Sequence, residues 1–414
     1  MVSIDPKDKK YIITFKPKNL RPNKVDDKIA IFRNIVGLED VDKDLVDICH
    51  LTHNHIHDQL HKTESTVTDI NLFETPFIFA RLKPDQVGRL RRDPNISLVE
   101  EDVTYYMAAE APGWQIAKLQ ADQVWATPLS VRGAGVNVAI MDTGVNPHLD
   151  INANLKINQN FTVRPGTAAE DPNRHGTHVA GICGAIEGNN EGIQGVAPSC
   201  NIWNLRSGDH QGLFAATDMV EGVTYANQNN AHVFNMSIAG GPFVQAMQDS
   251  LTALFNKGCV LMGANGNTGI QETIMYPATY PGVIGISNLH NNNLPHPTST
   301  FGTMTDFTAP GGDIESLAEN NLYRVLSGTS MATPAASGVA ALMLSAYNDT
   351  GCDPYIPGAQ KNVVIESVLK DTAIKTGLTG AGPIGQRDIF YGYGLLQARA
   401  AVASLKGVLP SALV

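Results

Sequence analysis

The sequence predicts an α/β fold, a doubly wound and mainly parallel sheet with helices on both faces, preceded by a small α+β domain. Three observations carry this. Continuous apolar runs at Val136–Met141 (VNVAIM), Cys259–Ala264 (CVLMGA) and Val283–Ser287 (VIGIS) have strand length without polar alternation, as parallel strands covered on both faces require. Helical stretches at His178–Ile186, Ala215–Asn227 and Val244–Asn256 lie between them, and such alternation builds a parallel sheet with helical crossovers. The first hundred residues follow a different pattern and read as a separate unit.

In that unit Tyr11–Lys16 (YIITFK) alternates as a strand does, Lys28–Val36 is helical in character, and Phe77–Leu82 (FIFARL) is a second strand. Pro84 opens a short helix over Asp85–Arg92, where the missing N–H costs nothing. Asp93-Pro94-Asn95 turns the chain and Ser97–Val99 returns as a strand into Glu100-Glu101-Asp102. Strand, helix, strand, helix, strand is the order of a split βαβ, ferredoxin-like sheet. The expected domains are therefore 1–108 and 109–414.

Composition limits the function. The 414 residues are 43% apolar, enough for a substantial core, and no apolar run approaches the roughly 18 residues of a membrane-spanning helix. The net charge of −10 is concentrated in 109–414, where 14 Lys and Arg face 22 Asp and Glu, against 16 and 18 in 1–108. That balance is the opposite of a nucleic-acid footprint. No nucleic-acid or membrane partner is expected, and the chain reads as a monomer. Its start, MVSIDPKDKK, lacks the apolar core of a secretory signal. Secretion is expected with the signal outside this chain, and cytoplasmic residence is the alternative. Cys49, Cys183, Cys200, Cys259 and Cys352 form no CxxC pattern; buried free thiols are the reading, with one disulfide as the alternative.

Four short segments carry chemistry. Asp142 ends the strand run VNVAIM at a Thr143-Gly144 turn, where a carboxylate that orients a base belongs. A second Asp-Thr-Gly, which an aspartic protease needs, is absent. His175 opens HGTHVAGICGAI, whose Val179, Ile182, Cys183 and Ile186 recur at helical spacing and fix the imidazole at a helix entry. His178 nearby suggests a metal, but no third ligand adjoins it. Ser330 precedes Pro334 and a long apolar helix, which places it at the helix start beside backbone N–H groups suited to an oxyanion. Gly266-Asn267 follows the strand CVLMGA, so the Asn267 amide is a second candidate oxyanion donor. Each segment has a plainer reading: turn, helix-end histidine, cap or hairpin.

Together they resemble the subtilase family of serine proteases, through MDTGV (141–145), HGTHVAG (175–181), NMSIAGG (235–241), GANGN (263–267) and GTSMATP (328–334). The order Asp, His, Ser is the subtilisin one. An α/β-hydrolase needs Ser, Asp, His order and a G-x-S-x-G elbow, which Gly-Thr-Ser-Met-Ala lacks. The resemblance implies a serine endopeptidase acting on polypeptides, with Ser330 as nucleophile, His175 as base, Asp142 orienting it and Asn267 completing the oxyanion hole. It implies that Ser237, Ile238, Ala239 and Gly240 pair with the substrate backbone and line the S1 pocket, with Ala264, Asn265 and Gly266 as the facing wall. Ala239 stands where the family often has glycine, and Ala335-Ala336 where it often has His-Val. A catalytically silent protein of the same fold, used for binding or inhibition, is the alternative function.

The N-terminal unit resembles the family's inhibitory propeptide through VEED (99–102) and the residues before it. This implies a self-processing zymogen whose own propeptide is inhibitor and folding chaperone, cut near Ala108-Ala109, with Met107-Ala108 as the alternative. The same register implies a structural Ca²⁺ held by Glu110, Asp150, Asn189 or Asn190, and main-chain carbonyls including Ile193. Oxygen-only ligands suit that ion. Five of the 12 histidines, His50, His53, His55, His57 and His61, crowd into the N-terminal unit; solvated surface, a pH switch and metal binding are its three readings.

Overall fold

The computed structural model describes residues 9–15, 77–82, 84–101, 110–162, 170–350, 360–374 and 387–408. The chain separates into two compact units, Met1–Tyr106 and Met107–Val414. Lys28–Val36, the histidine cluster, Cys49, Cys352 and Ala108-Ala109 lie outside the described residues.

In the first unit β1 (Lys9–Phe15) is the central strand, antiparallel to β2 (Phe77–Leu82) on one side and to β3 (Ile96–Glu101) on the other. The outer strands are therefore parallel, joined through α1 (Pro84–Leu90), with β1 inserted between them. That is the split βαβ arrangement. Ile13, Leu82, Val87, Leu90, Ile96 and Val99 form the buried apolar set among the described residues.

The second unit is built on a seven-stranded parallel sheet in the order β10-β9-β8-β7-β4-β6-β5. Its strands are β4 (Asn137–Asp142), β5 (Leu155–Asn160), β6 (Asn201–Arg206), β7 (Val233–Met236), β8 (Val260–Ala264), β9 (Val283–Leu289) and β10 (Phe307–Pro310). Two short helices, α2 (Trp114–Leu119) and α3 (Ala121–Trp125), precede the sheet. Helix α4 (His175–Gly184) lies between β5 and β6, α5 (Ala216–Gln228) between β6 and β7, and α6 (Gln245–Asn256) between β7 and β8. A hairpin of β11 (Ile314–Leu317) and β12 (Tyr323–Leu326) leads into α7 (Thr329–Thr350), followed by α8 (Lys361–Thr372) and α9 (Ala398–Leu405). Among the described residues no helix is long and apolar enough to cross a membrane.

The side-chain period of two divides the central strands between two cores. Val138 and Ile140 of β4 join the core under α4, α7 and α9, whereas Ala139 and Met141 join the one under α5 and α6. Asp142 falls in phase with Val138 and Ile140, so its carboxylate emerges on the α4/α7 side. The chain leaves β4 toward β5 and β6 on one side and crosses to β7 on the other, which makes the end of β4 the topological switch point, where such sheets place their sites.

The sequence reading missed β5, β6, β7 and β10. In β5 and β6 the reason is amide pairing across strands. Asn201 donates to Asn137 at 2.9 Å and Asn204 to Asn158 at 3.0 Å, so polar residues occupy positions that the apolar-run criterion rejects. β7 and β10 have four residues each, too few for any periodicity to register.

Candidate active site

Asp142 is 1% exposed and one of its oxygens is fully committed. Oδ1 accepts the Thr143 backbone N–H at 2.7 Å and faces His175 Nδ1 at 2.8 Å. The approach is close because residue 176 is glycine: a Cβ there would stand 2.1 Å from Gly144 O and 3.0 Å from Asp142 Cβ. With Nδ1 committed to the carboxylate, Nε2 is the nitrogen left for chemistry. Burial lowers the basicity of His175, but the charge and hydrogen bond of Asp142, together with the charge of Asp171, outweigh it and hold the imidazole above its ordinary 6.5; Arg324 opposes them. His178, one turn on, is buried against Arg324 O at 3.0 Å and pushed down to about 3 by that burial, a neutral structural residue.

Ser330 is the second residue of α7 and Pro334 the sixth. Having no N–H, Pro334 leaves the Ser330 carbonyl without its helical partner. The Ser237 hydroxyl takes that place at 2.9 Å, and is itself held by Asn235, which in turn accepts from Ser337. This network anchors the segment after β7 to the start of α7. The Ser330 hydroxyl donates to Ser237 O at 3.1 Å, and none of the described hydrogen bonds joins it to His175.

Asn267 is exposed just beyond β8, and its orientation is set. Its Oδ1 accepts the Thr329 N–H at 2.9 Å and the Thr329 hydroxyl at 3.2 Å, so Nδ2 is the end of the amide turned to the cleft. A Cβ on Gly328 would lie 3.2 Å from that Nδ2, which explains glycine before Thr329-Ser330. The Ser330 N–H belongs to the first turn of α7, where amides have no intrahelical acceptor.

Of the predicted substrate-contact residues, Ala239 and Gly240 are exposed, Ile238 is half-buried and Ser237 is buried. Ala264, Asn265 and Gly266 are buried opposite. A Cβ on Gly266 would meet Met275 Cγ at 3.1 Å and Ala239 Cβ at 3.4 Å, so the two segments face each other across a narrow slot. Beside Ile238–Gly241 opens an apolar pocket of about 290 Å³ walled by Phe214, Met219, Val244, Met247 and Tyr280. Its extent is not legible in the sequence, because its walls come from three separate segments, 212–219, 238–247 and 276–280.

The residues assigned to a cation do meet. Glu110 accepts from Gly188 N at 2.7 Å, Asn190 N at 3.2 Å and Gln194 Nε2 at 2.9 Å. Asp150, fully buried, accepts from Asn189 Nδ2 at 2.8 Å and Ile193 N at 3.1 Å. Burial, against these hydrogen bonds, pushes Asp150 up to about 6. Among the described hydrogen bonds and ion pairs no Lys or Arg reaches either carboxylate, and two carboxylates from separate segments that meet at the 188–194 loop without a countercharge are an oxygen donor set of the kind a hard cation takes. Asn190 enters through its backbone rather than its side chain, and the Asn189 amide must turn to offer oxygen. Among the described residues no cluster of three His, Cys, Asp or Glu could hold a metal. Cys183, Cys200 and Cys259 are buried free thiols.

The doubly wound parallel sheet thus presents an Asp–His pair, a serine at a helix start and an oriented amide, the residue types of a serine hydrolase. Residues 133–394 match the subtilase family of peptidases. The chain is 33% identical over 331 residues to M-protease of Shouchella clausii, covering 80% of each protein. It is 31% identical over 326 residues to subtilisin E of Bacillus subtilis, 78% of this chain and 79% of that one. It is also 30% identical over 341 residues to the minor extracellular protease Epr of the same organism, 78% of this chain and 49% of the relative. The chain belongs to the subtilase family and is a serine endopeptidase.

Proposed function

We propose that Ser330 attacks the substrate carbonyl while His175 removes its proton, with Asp142 holding the imidazole in the required tautomer. The carrying observation is the 2.8 Å contact of Asp142 with His175 Nδ1, which commits that nitrogen and leaves Nε2 as the one available to take a proton. For the reaction the Ser330 hydroxyl turns from the Ser237 carbonyl to His175 Nε2. The turn frees Ser237 O to accept an N–H from the substrate backbone. The tetrahedral oxyanion then receives hydrogen bonds from Asn267 Nδ2 and the Ser330 N–H. Ile238, Ala239 and Gly240 with Ala264, Asn265 and Gly266 hold the substrate strand, and the 290 Å³ pocket takes an apolar substrate side chain. The test is phosphonylation by a serine-directed reagent. Label on Ser330 with loss of activity is expected, whereas an unlabelled Ser330 in a folded protein favours the silent binding protein.

The base works as the neutral imidazole, and its basicity is raised, so kcat/KM rises with pH through a midpoint above 6.5. A pH–rate profile with its acid limb centred below 6 contradicts the assignment of His175.

Residues 1–108 act as inhibitor and folding chaperone until a self-made cut at Ala108-Ala109, and the active enzyme is a secreted monomer. Secretion accords with the extracellular relative. Amino-terminal sequencing of active enzyme is expected to begin at Ala109.

Calcium binds through Asp150, Glu110 and the Asn189 amide oxygen, with the backbone of Asn190 and Ile193 in the same loop, and supplies the missing positive charge. Asp150 titrates higher in the folded chain than its ordinary 3.8, so its contribution to stability is full below that value and is lost as pH rises through about 6. At pH 7 the bare carboxylate therefore weakens the fold, and calcium offsets it. Millimolar calcium is expected to raise the Tm at pH 7.5 much more than at pH 4.5. Asp150→Asn is expected to remove that rise, and a rise of wild-type size in the variant contradicts the site.

A further inference from the structure

A third carboxylate sits behind the Asp142–His175 pair. Asp171 is 2% exposed and accepts four hydrogen bonds: Thr143 Oγ1 at 2.7 Å, Arg174 N at 2.8 Å, Thr177 N at 2.7 Å and Thr177 Oγ1 at 2.6 Å. Arg174 and Thr177 bracket His175, so three of the bonds cap the first turn of α4, whose own N-cap Arg174 gives no side-chain bond. The fourth reaches the turn that carries Asp142. Thr143 Oγ1 also accepts the Gly176 N–H at 3.0 Å. Asn146 adds a second tie, with its Oδ1 accepting Asp171 N at 2.8 Å and its Nδ2 donating to Asp171 O at 3.2 Å. The two segments are thus bound at several points around one buried anion.

A cap alone would not need to be charged, because serine, threonine or asparagine serve as well. Burying a carboxylate is costly, and here burial does raise Asp171, only partly offset by its hydroxyl and amide donors. The other charge that bears on it is Asp142, which repels it; the nearby Arg206 guanidinium is turned to the Glu170 carbonyl at 3.3 Å. The charges of Asp142 and Asp171 raise His175 and that of Arg324 lowers it, and His178 lies one turn on in the same helix. Arg324 Nη2 is held by Arg174 O and the Arg174 side chain by Glu319 at 3.1 Å, so neither cation is an ion-pair partner of Asp171 in the described contacts.

We propose that Asp171 is a positioning residue for the peptidase reaction: it locks the Asp142 turn to the helix start bearing His175 and adds a second negative charge beside the imidazolium formed during catalysis. The inference rests on the assignment of His175 as general base. The misplacement it prevents is costly, since about 1 Å at a reacting group can lose 10²-fold.

The test uses the full chain, with active sites counted by phosphonate titration and kcat and KM measured on a peptide nitroanilide across the pH range. Asp171→Asn keeps the shape and removes the charge, together with the two bonds accepted by whichever oxygen becomes the amide nitrogen, so the shift of the acid limb is the readout that reports the charge. Its kcat is expected to fall about 10- to 100-fold with little change in KM, and its acid limb to move to lower pH than in wild type. If this variant does not fold, Thr143→Val, which cuts the bridge from the other end, is expected to lose kcat while Thr143→Ser retains it. Wild-type kcat and an unmoved acid limb in Asp171→Asn, with only a lower Tm, overturn the proposal; so does wild-type kcat in Thr143→Val. A wild-type enzyme whose Ser330 fails to react is a different result, for it removes the general-base assignment itself.

Discussion

Ser330→Ala is expected to lower kcat by about 10⁶-fold, with substrate affinity largely kept. The size is that of the nucleophile loss in subtilisin and is carried over from it. Its physical basis is that, in the proposed mechanism, the hydroxyl alone forms the covalent bond to substrate, so nothing nearby can replace it. The fold should be little affected. Ser330 Oγ makes a single described hydrogen bond, to Ser237 O, while its carbonyl, which Ser237 supports, is unchanged by the substitution. The same variant tests processing: if residues 1–108 are removed by the chain's own site, Ser330→Ala accumulates at full length. A variant that still matures when purified alone contradicts self-cleavage, and one that retains more than about a hundredth of the activity contradicts the nucleophile.

Asn267→Ala is expected to cost about 10²–10³ in kcat with KM changed far less. This is again the magnitude known for subtilisin, where the oxyanion-hole asparagine was the case studied. The asymmetry follows from where charge appears, since the amide meets a full negative charge only in the tetrahedral intermediate. The orientation of the amide sharpens the expectation. Because Thr329 N–H and hydroxyl both hold Oδ1, weakening that grip should disturb the donor without touching it. Thr329→Val, which removes the hydroxyl and leaves the N–H, is expected to lower kcat in the same direction by a smaller factor. An Asn267→Ala enzyme with kcat within about threefold of wild type contradicts the oxyanion assignment.

The legible part of the fold was the part with a strong local signal. β4, β8 and β9 are buried on both faces and were visible as apolar runs, and α4, α5 and α6 were visible by spacing. β6 was illegible because Asn204 and Arg206 are buried inside it, with partners distant in sequence. Asp171 was missed for a related reason. Asp-Pro-Asn-Arg before a helix reads as a turn, and although an aspartate ahead of a helix start is a capping signal, nothing local connects it with Thr143, 28 residues earlier.

By itself, the sequence determined which residues are available for chemistry and which element each begins or ends: Asp142 closing a strand, His175 and Ser330 opening helices, Asn267 following a strand. Such features depend on neighbours within a few positions, through periodicity and the effects of proline and glycine on the backbone. Only the tertiary structure decided how those residues are aimed. That the Asn267 amide turns its nitrogen to the cleft depends on Thr329, 62 residues away, and that the Pro334 gap is filled depends on Ser237, 93 residues from Ser330. Hydrogen bonds act over about 3 Å regardless of separation along the chain, so orientation follows from which segments the sheet brings side by side.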